Sequence, residues 1–327
     1  MAKPKVAFYW CASCGGCEET VVDLNEDILK VVEAVDIVFW PVALDYKKKD
    51  IEVMKDGDIA VSFINGAVRL KEQEEMVKLL RVKSGLVVAF GSCAHLGGIP
   101  GLANFWTKNA IFERVYKGVP SVANAEGIFP KEKLTIDVGE LTLPEFYDTV
   151  KTLDQTISVD YYLPGCPPPP DLIMNAVNAI LKNELPEKGS VLAPEKSLCD
   201  TCPRAEKKPE KISMKDIKRP HEIIPDPEKC FLEEGLICLG PATRSGCGER
   251  CINANMPCRG CMGPTREVID QGAKALSAIA SILGIEDEEK MTEEEVKELL
   301  DKIVDPAGTF YRFSLPSSLL RRKALSE

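Results

Sequence analysis

With 327 residues, 45% hydrophobic and 28% charged, the chain has ordinary globular composition and is long enough for a substantial core and about two domains. A formal charge of −10 and a pI near 5.1 argue against nucleic-acid binding, which needs concentrated Lys and Arg, so KKK at Lys47–Lys49 and RRK at Arg321–Lys323 read as solvated faces. No apolar run approaches the roughly 18–20 residues of a membrane span, and MAKPKVAFYW enters an apolar strand without a secretory signal pattern, so no membrane span and a cytoplasmic location are expected.

The first part alternates strand and helix patterns. Apolar or β-branched runs at Lys5–Trp10, Val35–Trp40, Asp58–Ile64 and Gly85–Phe90 read as strands. Between them, Glu18–Val35 carries Leu24, Ile28 and Val31 or Val32 at helical spacing, and Lys71–Arg81 carries Met76, Leu79 and Leu80. This alternation predicts an α/β fold with a parallel sheet covered by helices. A strand at Val159–Leu163, the loop GCPPPP and a helix near Asp171–Lys182 follow. From Asn183 to about Lys229 the composition turns to Pro, Lys and Glu, which places a domain boundary near residue 185. The expected domains are 1–185 and 186–327, the second irregular, then helical. Arg266–Leu283 shows a stripe of Ile269, Leu276, Ile279 and Leu283 stopped by Gly284, and Thr292 with Glu295 forms a capping box for a helix through Ile303.

Thirteen cysteines are the informative excess, because thiols stay reduced in cytosol and their density there points to metal. Only two histidines weaken a His-rich zinc or copper site. Cys14 and Cys17 sit in CASCGGCEE after the first strand, Cys93 in FGSCAHLGG after the fourth, and Cys166 in LPGCPPPP after a later one. Loops at the carboxyl ends of parallel strands converge, so four thiolates would meet at one sheet edge, as a [4Fe–4S] cube requires. The dinucleotide fingerprint GxGxxG is absent from the first turn. Eight more thiols, Cys199, Cys202, Cys230, Cys238, Cys247, Cys251, Cys258 and Cys261, make two further sets of four. Zinc knuckles at CDTC and CRGC are the rival reading, although their separation far exceeds the gap of a zinc ribbon.

CGGCEE, GSCAHLGGIPG and PGCPPPP, followed by a late cysteine-rich region, closely resemble small subunits of nickel–iron hydrogenases. The resemblance covers roughly Lys5–Gly263 and is nearest to the cytoplasmic, viologen-reducing, F420-non-reducing group, gamma-subunit type, coupled to heterodisulfide reductase. It implies a flavodoxin-like first domain, an electron-transfer role with no hydrogen-activating metal in this chain, and three [4Fe–4S] clusters. Cys14, Cys17, Cys93 and Cys166 would hold the proximal cluster; Cys199, Cys202, Cys230 and Cys238 the distal one; Cys247, Cys258 and Cys261 the medial one. Many periplasmic relatives have histidine where this chain has Cys199, and a three-iron medial cluster where Cys251 here offers a fourth ligand. The implied partners are the [NiFe] large subunit and a [2Fe–2S] subunit linking to heterodisulfide reductase. Cys11 is left over as a non-ligand. Glu18 and Glu19 read as complements to a helix dipole, and His95 as a hydrogen-bonding structural residue.

Overall fold

The computed structural model describes residues 3–283 and 292–321. Gly284, Arg322 and Lys323 lie outside the described residues.

Among the described residues nine strands are formed: β1 (Lys5–Trp10), β2 (Asp36–Phe39), β3 (Ile59–Asn65), β4 (Val68–Leu70), β5 (Ser84–Phe90), β6 (Lys133–Ile136), β7 (Gly139–Thr142), β8 (Phe146–Lys151) and β9 (Tyr161–Leu163). Five of them make one parallel sheet in the order β2-β1-β3-β5-β9. Counted within the sheet alone this is the 2-1-3-4-5 order of a flavodoxin-like fold, whose connections reverse direction between the first and third strands. The loop after β1 therefore opens at the switch point, where the sheet edge parts.

Both sheet faces are buried, which explains near-continuous apolar strands rather than an alternation with polar residues. Phe8, Phe63, Val88, Phe90 and Leu163 face Val21, Val31, Leu172 and Ile173 from the helices Gly16–Val22, Asp27–Ala34 and Pro170–Lys182. Ala7, Ile64, Val87 and Ala89 face the opposite way, against Met76, Val77 and Leu80 of the helix Lys71–Lys83. Phe8 stacks on Phe63 with ring centroids 5.3 Å apart. A third core gathers Leu198, Phe231, Leu236, Ile279, Phe310 and Leu315 from the cysteine-rich part. That part also packs on the sheet domain: Met262 is buried in the first core, with Leu192, Ala193, Cys247 and Cys261 against it.

Two expected helices differ. Glu18–Val35 is broken after Val22, with Asn25 in the left-handed region at φ 52, so the register restarts at Asp27. The late helix is Gln271–Ala280, and Ile269 is 82% exposed outside it. Asp270 caps its first turn by accepting from Ala273 N–H, so the stripe that packs is Gly272, Ala275 and Ile279. The capping box at Thr292 and Glu295 is formed, opening a helix Glu293–Asp301.

The β9 end of the sheet is tied by Asp160, whose carboxylate accepts from Arg81 (2.6 Å), Lys188 (2.7 Å) and the Val87 N–H (2.8 Å). Burial alone would raise this carboxyl, yet the three donors hold it below the usual carboxylate range. Because its folded pKa is depressed, the stabilisation is complete above the unfolded value near 4 and disappears as pH falls through the lower folded value. Asp160→Asn is expected to cost about 2–3 kcal/mol at pH 7. Urea midpoints should show wild type and variant converging on acidification; a gap that persists in acid would rule out the carboxylate as its source.

Candidate metal centres

Three groups of thiols stand in series, beginning at the carboxyl edge of the sheet. Cys14 precedes the helix Gly16–Val22 and Cys17 lies in its first turn. Cys93 is in the short helix Ser92–Leu96 directly after β5, and Cys166 follows β9. Cys17 and Cys93 are buried, whereas Cys14 and Cys166 are exposed. Burial is the main force raising the Cys17 thiol, and nearby Cys93, Cys166 and Cys14 add to it. Cys93 is pushed up to about 12, by burial first and then by Cys166 and Cys14, against one backbone donor, Ile99 N–H. The four sulfurs thus sense one another across a common space. Glycines hold that space open. Gly91, at φ +86, turns the chain where a Cβ would overlap the Cys17 sulfur, and Gly98, at φ +60, does so beside the Cys93 sulfur.

Cys11 is separated from this group by the sheet itself. It is buried in the core of the opposite face with Ala7, Ile64 and Ala89, while Cys17 belongs to the first core. Burial alone raises its thiol.

Glu18 is in the first helical turn as expected, but its carboxylate is buried rather than displayed to solvent. The Trp40 indole N–H and the Asn65 amide both donate to it, opposing the burial that nevertheless raises its pKa. His95 also departs from expectation. Its Nδ1 is buried without a hydrogen-bond partner, and its ring packs on Tyr162 at 4.6 Å between centroids. Burial, with Arg244 nearby, lowers it to about 3, so it is a neutral packing residue.

The second group is Cys199, Cys202, Cys230 and Cys238, which line one small pocket together with Phe231, Gly240 and Ile252. The helix Leu198–Thr201 presents Cys199, and its capping residue Ser197 donates its backbone N–H to the Asp200 carboxylate at 2.9 Å. Cys199 is raised to about 12 by burial, then by Cys238, Cys230 and Cys202. Cys238 is raised to about 11 by burial, opposed by N–H groups of Gly240 and Cys258. A Cβ at Gly240 would lie 3.2 Å from the Cys199 sulfur and 3.5 Å from that of Cys238.

The third group is less symmetric. Burial raises Cys251, with Cys247 adding to it, and Cys261 is raised to about 12 by burial first, then by neighbours that include Cys247 and Cys251. Cys258 acts with Cys261 but feels Cys238 of the second group more strongly. The Gly260 N–H donates to the Cys258 sulfur at 3.4 Å, while the Thr243 hydroxyl gives its proton to the Leu239 carbonyl at 2.6 Å. At the other end, the Cys166 backbone donates to Cys261, which also feels the Cys166 thiol. The Cys258 N–H donates to the Cys238 sulfur at 3.3 Å, so the third group abuts the second. Residue spacing gave no sign of these links, because they depend on how the late segment docks on the sheet.

The donor set suits iron–sulfur chemistry. Sulfur is the sole ligand type in all three groups, and burial resists ionisation of the thiols unless a positive metal group compensates it. Backbone N–H groups facing sulfur would stabilise the thiolates once formed. Among the described residues no three His, Cys, Asp or Glu side chains converge as one metal ion requires; tetrahedral zinc would hold its sulfurs about 3.8 Å apart.

A family profile described as "NADH ubiquinone oxidoreductase, 20 Kd subunit" matches residues 14–180, which contain the whole first group. The iron-sulfur subunit of the F420-non-reducing hydrogenase of Archaeoglobus profundus is 43% identical, over 98% of this chain and 98% of its own length. This chain belongs to the same hydrogenase subunit family. The corresponding F420-non-reducing hydrogenase subunit of Methanothermobacter thermautotrophicus is 40% identical, over 99% and 98% of the two chains. Among solved structures, a chain of the [NiFeSe] hydrogenase of Desulfovibrio vulgaris Hildenborough aligns with TM-score 0.51 at 19% identity, covering 81% of this chain and 94% of that one, which bears on the fold alone. The chain is thus a hydrogenase subunit, an oxidoreductase component, with a parallel α/β domain and a cysteine-rich region after it. Among the described residues no helix is long and apolar enough to cross a membrane.

Proposed function

We propose that this chain is the electron-relay subunit of a cytoplasmic [NiFe] hydrogenase, of the gamma-subunit type, holding three [4Fe–4S] clusters. The observation that carries the reading is the 43% identity, over 98% of both chains, to a hydrogenase iron-sulfur subunit, with the late thiols meeting where the Cys258 N–H donates to the Cys238 sulfur. Bound clusters would supply one-electron carriers.

Cys14, Cys17, Cys93 and Cys166 are assigned to the proximal site, Cys247, Cys251, Cys258 and Cys261 to the medial site, and Cys199, Cys202, Cys230 and Cys238 to the distal site. A division of the chain near residue 185 separates the first site from the other two. The chain's own contribution is to hold these sites in line, exclude water with the three cores, and tune each sulfur through N–H donors such as Ile99, Gly240 and Gly260. Hydrogen activation belongs to a separate large subunit. That partner is assigned to the surface around the exposed Cys14 and Cys166, where Trp10, Ile99 and Trp106 are also exposed. A [2Fe–2S] subunit linking to heterodisulfide reductase is assigned to the far end.

Anaerobically purified complex should be brown, contain nickel in its large subunit, and lose its visible colour under hydrogen. A brown complex that hydrogen leaves unchanged, while a hydride donor such as reduced F420 or NADH bleaches it, would overturn the assignment. The fourth medial ligand has its own test. Cys251→Ala is expected to convert that site to a three-iron form, giving a new electron paramagnetic resonance signal in the oxidised protein, with the other sites unchanged. An unaltered spectrum would remove Cys251 from the ligand set.

A further inference from the structure

A cavity of about 470 Å³ opens beside the second and third cysteine groups, lined by Lys218, Arg219, Arg259, Lys302 and Arg312. Five cations around one concavity are conspicuous in a chain whose formal charge is −10. Asp305 also lines the cavity, but its carboxylate accepts from Gly308 N–H at the start of the helix Pro306–Phe310. Asp216 pairs with Lys302 and feels Lys218. Among the described residues no carboxylate forms an ion pair with the Lys218, Arg219 or Arg259 side chains. Arg259 is half-buried and lines the cavity together with Arg312. Like charges gathered at a concave surface are stabilised by an anion seated among them.

The position of the cavity identifies the kind of anion. Arg259 lies between Cys258 and Cys261 in sequence, so the wall it forms belongs to the segment that carries those thiols. Ile237, beside Cys238, forms part of the wall. Exposed Met256 and Val304 give the mouth an apolar element among the cations. A largely cationic concavity with exposed apolar residues at its mouth suits the small, charge-steered encounters by which electron-transfer proteins meet.

We infer that this cationic cavity is the docking site for an acidic redox protein, whose carboxylates seat among Lys218, Arg219, Arg259 and Arg312. The inference rests on the relay function proposed above and fixes where electrons leave the chain or enter it. Arg259 then links the partner to the cysteine groups through its place between Cys258 and Cys261.

Zero-length carbodiimide coupling of the anaerobic holo complex, read by mass spectrometry, tests the inference directly. Lys218 should become joined to an Asp or Glu of a subunit that carries a redox cofactor and does not activate hydrogen. Coupling of Lys218 only within its own chain or to the hydrogen-activating subunit would overturn the inference. So would protection of Lys218 from amine labelling by inorganic pyrophosphate, with no partner carboxylate coupled, which would make the cavity a small-anion site. In rapid-mixing experiments, Lys218→Glu with Arg219→Glu should slow reduction of the coupled partner on the order of ten-fold at low salt, with the difference shrinking at high salt. The milder Arg219→Gln should give a smaller change of the same kind; an equal rate at low salt for both variants contradicts the inference. Iron and sulfide content and bleaching by hydrogen, measured on the same samples, report the relay function separately from docking.

Discussion

Cys17→Ala is expected to remove about four of about twelve irons per chain and to abolish hydrogen-driven viologen reduction, whereas Cys11→Ala should leave both unchanged. The two residues are six positions apart on one loop, yet they lie in cores on opposite faces of the sheet. Cys17 shares its space with Cys14, Cys93 and Cys166 and is buried, so alanine there leaves three thiols around a group that needs four. Losing a mere hydrogen-bond partner of a metal ligand costs roughly 10–100-fold in affinity or activity, and losing a ligand should exceed that. Cys11 behaves as a small apolar side chain, and its truncation should cost about 1 kcal/mol of stability. Iron analysis with hydrogen-dependent viologen reduction distinguishes the pair. Equal iron loss from both variants would contradict the division of the loop between the two faces.

Gly91→Ala should reproduce much of the Cys17 defect without touching a thiol. Gly91 combines φ 86 with ψ 166, a backbone region almost closed to residues with a Cβ, and alanine there carries a strain of about 1–3 kcal/mol. The added carbon would also overlap the Cys17 sulfur and lie 3.5 Å from the Gly165 carbonyl oxygen, in the loop that carries Cys166. Relief requires moving Cys17 or the Cys166 loop, and either movement spoils the set of four. The variant should fold with a lowered urea midpoint and lose about four irons, keeping the remaining sites. Full iron content with unchanged stability would mean that the turn tolerates a Cβ and that the glycine is not what keeps the space around sulfur open.

Different parts of this molecule were legible to different degrees. The five parallel strands were readable because runs such as GLVVAF are apolar on both faces, as a doubly covered sheet demands. The first helix was over-extended because Leu24, Ile28 and Val31 keep helical spacing across a turn at Asn25 that periodicity cannot detect. Ile269 misled in the opposite sense: it fits an apolar stripe, but the Asp270 cap starts the helix after it. The β6–β7 hairpin carries no sequence signal as strong as those of the main sheet; all eight of its strand residues are exposed.

The cysteines stood out as counts and spacings, and the carboxyl-end loops pointed to a meeting of Cys14, Cys17, Cys93 and Cys166. The meeting of the later thiols was not legible. The Cys258 N–H reaches the Cys238 sulfur as the late segment folds back on the sheet, with Ser92 donating to the Cys261 carbonyl and Met262 entering the first core. The cationic cavity was hidden for a similar reason. Lys218, Arg259 and Arg312 are far apart in a chain of net negative charge, and only folding brings them to one wall.

Metal and sulfide analysis of the anaerobically purified complex, combined with Mössbauer spectroscopy, tests the central claim most directly. About twelve irons and about twelve acid-labile sulfides per copy of this chain, in cubane environments held by sulfur, are the predicted result. A colourless protein containing about one or two zinc ions per chain and no labile sulfide would contradict it.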